Sequence, residues 1–183
     1  MGFVRPAIVR LVLLLSLIPS AAVLAQPARQ TLPPVINLSV NRATRLLVVA
    51  PHPDDEIIGA AGLIRRVVKA GGTVRVVFTT SGDGFPEGVE TAEGISARVA
   101  HLSPRDYETY GKLREQEARA SASSLGLKPS ALTFLGFPDE GLCELASTYL
   151  SAKVQAFKSP YTGRISPPLT AGDMNPETPY SLS

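Results

Sequence analysis

The sequence predicts an α/β fold built on an open, mainly parallel sheet with flanking helices. Short runs of apolar, β-branched residues occur at three points of the chain, and segments with helical periodicity stand between them. The 183 residues suffice for one domain with a core. A hydrophobic share of 44% is ordinary for a globular protein and argues against disorder throughout.

The first 25 residues are typical of a secretory signal peptide. Arg5 and Arg10 precede the apolar run Leu11 to Ile18, and Val23 and Ala25 stand at the −3 and −1 positions. A membrane anchor is the alternative, but the apolar run is too short to span a bilayer. We therefore expect export, to a periplasm or beyond, with no stable membrane span after signal cleavage.

The remaining chain divides by composition. Residues 26–44 are polar and proline-bearing and predict an N-terminal arm, 45–158 hold the predicted domain, and 159–183 predict an irregular proline-rich tail. Without residues 1–25 the chain has 16 basic and 16 acidic residues and no Lys/Arg-rich block, which argues against a nucleic-acid partner. The single cysteine, Cys143, cannot form an internal disulfide, and we expect it to be a small buried residue.

The first half of the domain predicts a strand–helix–strand unit. Arg45–Ala50 is the first strand, and a helix begins near Pro53 and continues with apolar spacing over Ile57–Ala70. The second strand is Thr73–Thr80, followed by the loop Ser81–Gly84. A unit of this length is typical of a parallel crossover.

The second half predicts one more strand. A long connection runs from Phe85 to about Tyr107, a helix covers Gly111–Leu127, and Ala131–Phe137 is the third strand. A last helix is predicted over Cys143–Lys158. Three strands are few for a doubly wound sheet. We therefore expect a Rossmann-like sheet that is incomplete at its C-terminal side.

The pentapeptide HPDDE, residues 52–56, stands where the first strand ends, and ligands of open parallel sheets bind beyond such ends. His52 and Asp55 are suitable donors for Zn²⁺, and Asp54 between them suits a general base for hydrolysis. Glu56 is expected to orient the turn. The alternative is an ordinary helix start, which accounts for the proline and the acids but not for the histidine.

Four segments of the chain resemble, in order, the motifs of the PIG-L (LmbE-like) family of zinc-dependent de-N-acetylases. They are LLVVAPHPDDEIIGAAGLI, VRVVFTTSGDG, LREQEARASASSLGL and LGFPDEGL, and together they cover about residues 45–145. The resemblance implies His52 and Asp55 as zinc ligands and Asp54 as the general base. It also implies that Arg114 and Asp139 contact sugar hydroxyls, although the residues alone favour a solvated charge and a turn former.

The chain departs from the family pattern at the third zinc ligand. The family uses a second histidine after a further strand, whereas the other histidine here, His101, precedes the third predicted strand and is expected to be a solvated loop residue. Two protein ligands fall short of the usual three plus water. We therefore expect the sequence to be a fragment of a larger domain.

The leading functional hypothesis is an exported zinc-dependent hydrolase that removes the N-acetyl group from an N-acetylglucosamine-type sugar on a glycan, glycolipid or small molecule. One alternative is a non-catalytic sugar-binding remnant that lacks the metal, and another is a chain that does not fold alone. A serine hydrolase is disfavoured because TTSGDG lacks the G-x-S-x-G elbow.

Overall fold

The computed structural model describes residues 37–94, 101–147 and 157–166. The chain divides after Leu38, and every described helix and strand lies in the unit that begins at Ser39. The predicted signal peptide and residues 26–36 of the predicted arm lie outside the described residues. None of the helices in the described part is long and apolar enough to cross a membrane.

The sheet has three parallel strands in the order β1-β2-β3. Val48 of β1 is paired with Val76 of β2, which is paired in turn with Leu132 of β3. The first two strands have the predicted bounds and the third begins one residue later, so the α/β fold class with a parallel open sheet and flanking helices is confirmed. The strands are β1 Arg45–Ala50, β2 Thr73–Thr80 and β3 Leu132–Phe137.

Two of the helices differ from the prediction. The connection after β2 contains a short helix, α2, that begins at a proline and ends at Gly94 in the left-handed conformation with φ 64°. The long helix α3 begins seven residues earlier than predicted, because Ser103 and Asp106 form a capping box in front of it. The helices are α1 Asp55–Lys69, α2 Pro86–Glu93, α3 Pro104–Ser124 and α4 Leu142–Ser147.

The end of the chain corrects two further predictions. Helix α4 is described only as far as Ser147, but Phe157 and Lys158 are not helical, so the predicted helix end at residue 158 is wrong. Residues 157–166 form turns without a helix or strand. Cys143 is exposed rather than buried, because α4 turns Leu145 towards the interior and the first turn of the helix towards solvent.

The core lies on one face of the sheet. Helices α1 and α3 both cover this face, and the rings of Phe78 and Phe134 stack at its centre with centroids 4.5 Å apart. A Phe of this kind is expected to contribute about 3–5 kcal/mol when it is compared with alanine. The buried cluster comprises Ala50, Ile64, Val67, Val74, Val76, Phe78, Ala118, Ala122, Leu127, Leu132 and Phe134.

The opposite face of β1 is open to solvent. Strand β1 forms one edge of the described sheet, and its alternate residues Leu47 and Val49 are 62% and 59% exposed. Strands of parallel sheets are ordinarily covered on both faces. The strand that leads into the HPDDE turn is therefore the least covered strand of the sheet.

Candidate active site at the carboxyl ends of the strands

All five residues predicted from the sequence come together beyond the carboxyl ends of the strands. His52 contacts Asp55 within the turn after β1 and reaches across to Asp139 in the turn after β3. Asp54 pairs with Arg114 of α3 through an Nη2–Oδ2 contact of 2.9 Å. Because parallel strands end at the same edge of a sheet, residues as far apart as 52 and 139 become neighbours.

The imidazole of His52 lies between two carboxylates. Its Nε2 is 3.0 Å from Asp139 Oδ1, and its Nδ1 is 3.3 Å from Asp55 Oδ2. Asp55 Oδ2 also accepts the backbone N–H of His52 at 2.9 Å, which closes the turn. A neutral imidazole has one N–H, and carboxylates only accept, so a neutral ring donates to only one of the two carboxylates.

Zinc fits this pair of donors. Ligands at tetrahedral zinc distances of about 2.0–2.1 Å lie about 3.3 Å apart, which matches the separation of His52 Nδ1 and Asp55 Oδ2. Within the described residues, however, no group of three or more His, Cys, Asp or Glu side chains could hold a metal ion. His101 is exposed and belongs to no such group. The described residues thus offer two donors, fewer than the usual three plus water of a zinc site.

Asp54 has a strained backbone. Its φ of 131° and ψ of −30° lie outside the regions that residues with a side chain ordinarily adopt. Such conformations cost about 1–3 kcal/mol and persist where neighbouring contacts impose them. The Asp54 side chain is 55% exposed, and the described residues donate no hydrogen bond to its Oδ1. This carboxylate therefore has one oxygen paired and one open to solvent.

Glu56 holds the strained turn from beneath. Its Oε2 accepts the backbone N–H of Asp54 at 3.0 Å, and the residue is only 1% exposed. Burial raises the pKa of the Glu56 carboxyl. Its Oε1 is buried without a hydrogen-bond partner in the described part of the chain. The sequence suggested that Glu56 orients the turn, but its complete burial was not predicted.

Arg114 fastens the turn after β1 to the loop after β2. Its Nη2 donates to Pro53 O at 2.7 Å and to Asp54 Oδ2, while its Nη1 donates to Gly82 O at 2.9 Å. Only 12% of its side chain is exposed. A Cβ on Gly82 would collide with the guanidinium, and the φ of 64° at Gly82 also favours glycine. The predicted contact of Arg114 with sugar hydroxyls stays a prediction beside these internal bonds.

Asp139 is buried, and each of its carboxylate oxygens accepts a hydrogen bond. It is 6% exposed, its Oδ1 accepts the N–H of Glu140, and its Oδ2 accepts the N–H of Gly84, both at 3.0 Å. Close by, burial and then the charge of Asp139 raise the pKa of Asp83 to about 6. The predicted sugar contact of Asp139 likewise stays a prediction.

Two concave regions flank these residues. An open groove of about 310 Å³ between α1 and α3 is lined by Asp54, Ile58 and Arg114 among others. A smaller, more enclosed cavity lies where Ser81 donates to the buried Glu115 at 2.7 Å. Of these two regions, the groove is the one lined by Asp54.

Residues 157–164 pack against the site, although no local sequence pattern predicted this. The Tyr161 hydroxyl donates to Glu140 Oε2 at 2.6 Å, and its ring lies 5.2 Å from that of Tyr107. Arg164 pairs with Glu108 of α3 at 2.8 Å. This segment falls in the predicted irregular tail, and only the tertiary structure shows that it packs behind the turn after β3.

The sequence model of the PIG-L family, described as GlcNAc-PI de-N-acetylase, matches residues 47–165. A 1D-myo-inositol 2-acetamido-2-deoxy-alpha-D-glucopyranoside deacetylase of Mycobacterium sp. (strain KMS) is 34% identical over 116 residues, which is 61% of this chain and 35% of that protein. The enzyme of the same name from Rhodococcus opacus (strain B4) is 36% identical over 105 residues, 56% of this chain and 34% of that protein.

Among solved structures, the N,N'-diacetylchitobiose deacetylase from Pyrococcus horikoshii has 26% identity and a TM-score of 0.41, over 54% of this chain and 31% of that one. The mycobacterial and rhodococcal relatives are, by their names, deacetylases. The chain belongs to the PIG-L family. It spans about a third of the length of the curated relatives it matches.

Proposed function

We propose that this chain carries part of the active site of a zinc-dependent de-N-acetylase that acts on an N-acetylglucosamine-type sugar conjugate. The observation that carries the proposal is the convergence of His52, Asp55 and Asp54 at the carboxyl end of β1. His52 and Asp55 have the separation of two zinc ligands, whereas Asp54 pairs one oxygen with Arg114 and keeps the other without a hydrogen-bond donor among the described residues.

Each residue has a distinct part in this proposal. His52 and Asp55 would hold the zinc ion, which supplies Lewis-acid polarisation of the acetamide carbonyl and a more acidic water. Asp54 Oδ1 takes a proton from the attacking water while the water oxygen bonds to the acetyl carbon. The C–N bond then breaks, the proton passes to the leaving nitrogen, and the products are acetate and a free amine.

The third zinc donor is proposed to come from polypeptide beyond the described residues. Strand β1 is an edge of the described sheet, and ligand sites of doubly wound sheets lie where the strand order reverses next to the first strand. A further strand along β1 would cover Leu47 and Val49 and place its own carboxyl end beside His52. The relatives, about three times as long as their matched segments, have the length for such a strand.

Export is proposed on the sequence of residues 1–25 alone. Fractionation of a bacterial host that expresses the chain, with immunoblotting of each fraction, tests it. A shortened product outside the cytoplasm supports export, and a full-length product confined to the cytoplasm contradicts it.

The activity is tested by incubating the chain with zinc and chitobiose-type or inositol-linked N-acetylglucosamine substrates and measuring released acetate. We expect Asp54→Asn to lower turnover by about 10²–10⁴-fold, because a general base contributes that much. Zinc affinity should change less than about threefold, because Asp54 is not one of the ligands.

Two outcomes separate the alternatives. Equal loss of zinc binding and turnover in Asp54→Asn contradicts the role of Asp54 as a base. Measurable affinity for N-acetylglucosamine together with zinc far below one ion per chain favours the sugar-binding remnant. The matched control is Glu144→Gln, which removes an exposed carboxylate on α4 and should alter neither quantity.

A further inference from the structure

The contacts of Asp139 suit a residue that orients a neighbouring side chain, that of His52. Both of its oxygens accept backbone N–H groups, from Gly84 after β2 and from Glu140 in its own turn. These two donors come from different turns and fix the plane of the carboxylate. The remaining contact of Oδ1 is His52 Nε2 at 3.0 Å. With 6% of the residue exposed, little of its surface can meet a ligand.

The contact with Asp139 selects one form of the His52 ring. A carboxylate accepts and does not donate, so a neutral imidazole must place its proton on Nε2 to satisfy it. The lone pair then resides on Nδ1, which is the nitrogen 3.3 Å from Asp55 Oδ2. Asp139, which lies on the opposite side of the ring from Asp55, thus leaves the Nδ1 lone pair available to a metal together with Asp55 Oδ2.

The turn that carries Asp139 is itself held from behind. A Cβ on Gly84 would lie 2.6 Å from Tyr161 Cε2 and 3.1 Å from Asp139 Cβ, so only glycine permits this approach. The Tyr161 hydroxyl binds Glu140, the neighbour of Asp139. On the other flank, Phe157 packs so closely on Gly141 that a Cβ there would meet its Cε1 at 2.6 Å.

From these contacts we propose that Asp139 is a positioning residue, which keeps His52 in the Nε2–H tautomer with Nδ1 and Asp55 Oδ2 directed to one zinc ion. A carboxylate behind a zinc-binding histidine fixes its orientation, and loss of such a partner weakens metal binding by about 10–100-fold. The role in zinc binding rests on the proposed function. The selection of the tautomer does not.

The tautomer is measured on the metal-free chain by nitrogen chemical shifts of its histidine rings at about pH 8.5, where an unperturbed imidazole is neutral. The chain has two histidines, and the exposed His101 serves as the internal reference. We expect His52 to be Nε2–H in the wild-type chain and to shift towards Nδ1–H in Asp139→Asn. A wild-type ring that is Nδ1–H, or a ring unaffected by the substitution, overturns the proposal.

Zinc affinity is measured in parallel by competition with a chromophoric chelator. Asp139→Asn should weaken binding by about 10–100-fold. The matched control is Asp83→Asn, because Asp83 interacts electrostatically with Asp139 but makes no contact with His52. We expect less than about a threefold change in this control, because Asn retains an oxygen that can accept the backbone N–H of Asp139, and the carboxylate that faces His52 is kept. Equal weakening in both variants reduces the role of Asp139 to charge and overturns the proposal.

The two measurements separate failure of the inference from failure of the proposed function. If the wild-type chain binds no zinc but the His52 tautomer still changes in Asp139→Asn, the positioning role stands and the proposed zinc site is contradicted. If the wild-type chain and Asp139→Asn bind zinc with equal affinity, the zinc site stands and the positioning role is contradicted. Circular dichroism of each variant establishes that it is folded before either comparison is made.

Discussion

The turn after β1 and the turn after β3 have similar positions in the fold but differ in backbone strain and in the burial of their aspartates. Each follows a parallel strand, and each contains a non-glycine residue with positive φ, Asp54 at 131° and Glu140 at 58°. The value at Glu140 belongs to the left-handed region that residues with side chains occasionally adopt, whereas that at Asp54 does not. Asp54 is exposed, and Asp139 in the other turn is buried.

The difference separates the residue proposed for chemistry from the residue proposed for support. The turn after β1 holds its exposed carboxylate in a costly conformation that Glu56 and Arg114 maintain. The turn after β3 directs its carboxylate inwards to His52 and is backed by Tyr161. The imidazole of His52 therefore joins the buried Asp139 to Asp55, which is the chain neighbour of the strained Asp54.

The largest expected effect comes from removing the support beneath the first turn. Glu56→Ala leaves a cavity and an unpaired N–H on Asp54, and we expect a loss of about 3 kcal/mol in the free energy of unfolding. Urea denaturation followed by circular dichroism measures it. Glu56→Gln retains the volume and the acceptor and should stay within about 1 kcal/mol of wild type. Equal losses in the two variants would show that the carboxylate, not its packing, supports the turn.

A pH effect of similar size is expected from the region of the second turn. The folded chain raises the pKa of Asp83 from 3.8 to about 6, mainly through burial and then through Asp139. The folded chain therefore binds this proton more tightly than the unfolded chain, and the free energy of unfolding falls as pH rises from 3.8 to about 6, by up to about 3 kcal/mol.

Asp83→Asn should remove this contribution and flatten the stability profile over the same range. Denaturation series of both proteins at several pH values provide the measurement. Identical slopes in the variant and the wild type would contradict the assignment to Asp83. The Glu56 carboxyl, whose pKa burial also raises, contributes a slope of the same sign in both proteins and cancels in the difference.

The smallest effect compares the two positive-φ residues directly. Asp54→Gly relieves the backbone strain and loses only a half-exposed ion pair, so we expect stabilisation by about 1–2 kcal/mol. Glu140→Gly relieves less strain and loses the bond from Tyr161, so we expect a change within about 0.5 kcal/mol. Thermal melts under matched conditions test the pair. A larger gain at Glu140 than at Asp54 would reverse the comparison.

The strands and α1 were predictable because their residues act locally. β-Branched runs specify β1 and β2, and the paired glycines after Ala70 end α1. Helix α2 was missed because its eight residues, which include Gly88, form only about two turns and so carry a weak helical signal. The early start of α3 was detectable in the sequence from Ser103, Pro104 and Asp106, which have the spacing of a capping box.

The candidate site was predictable where its residues are adjacent in sequence. His52, Asp54 and Asp55 stand together on one turn, so their chemistry follows from residue type and position. The partners of Arg114 and Asp139 lie 60 and 87 residues away, and only the fold specifies them. The burial of Glu56 and the packing of Tyr161 also depend on tertiary contacts, and no local sequence pattern predicts them.

The open edge of β1 has a practical consequence for work with the isolated chain. Within the described sheet, its outer N–H and C=O groups have no neighbouring strand and lie beside the exposed Leu47 and Val49, and such an edge is a template for another strand. The sedimentation behaviour of the chain should therefore depend on its concentration, and dilute samples give the more meaningful binding constants. Lysine at position 47 or 49 would offer a more soluble version that leaves every hydrogen bond of the candidate site in place.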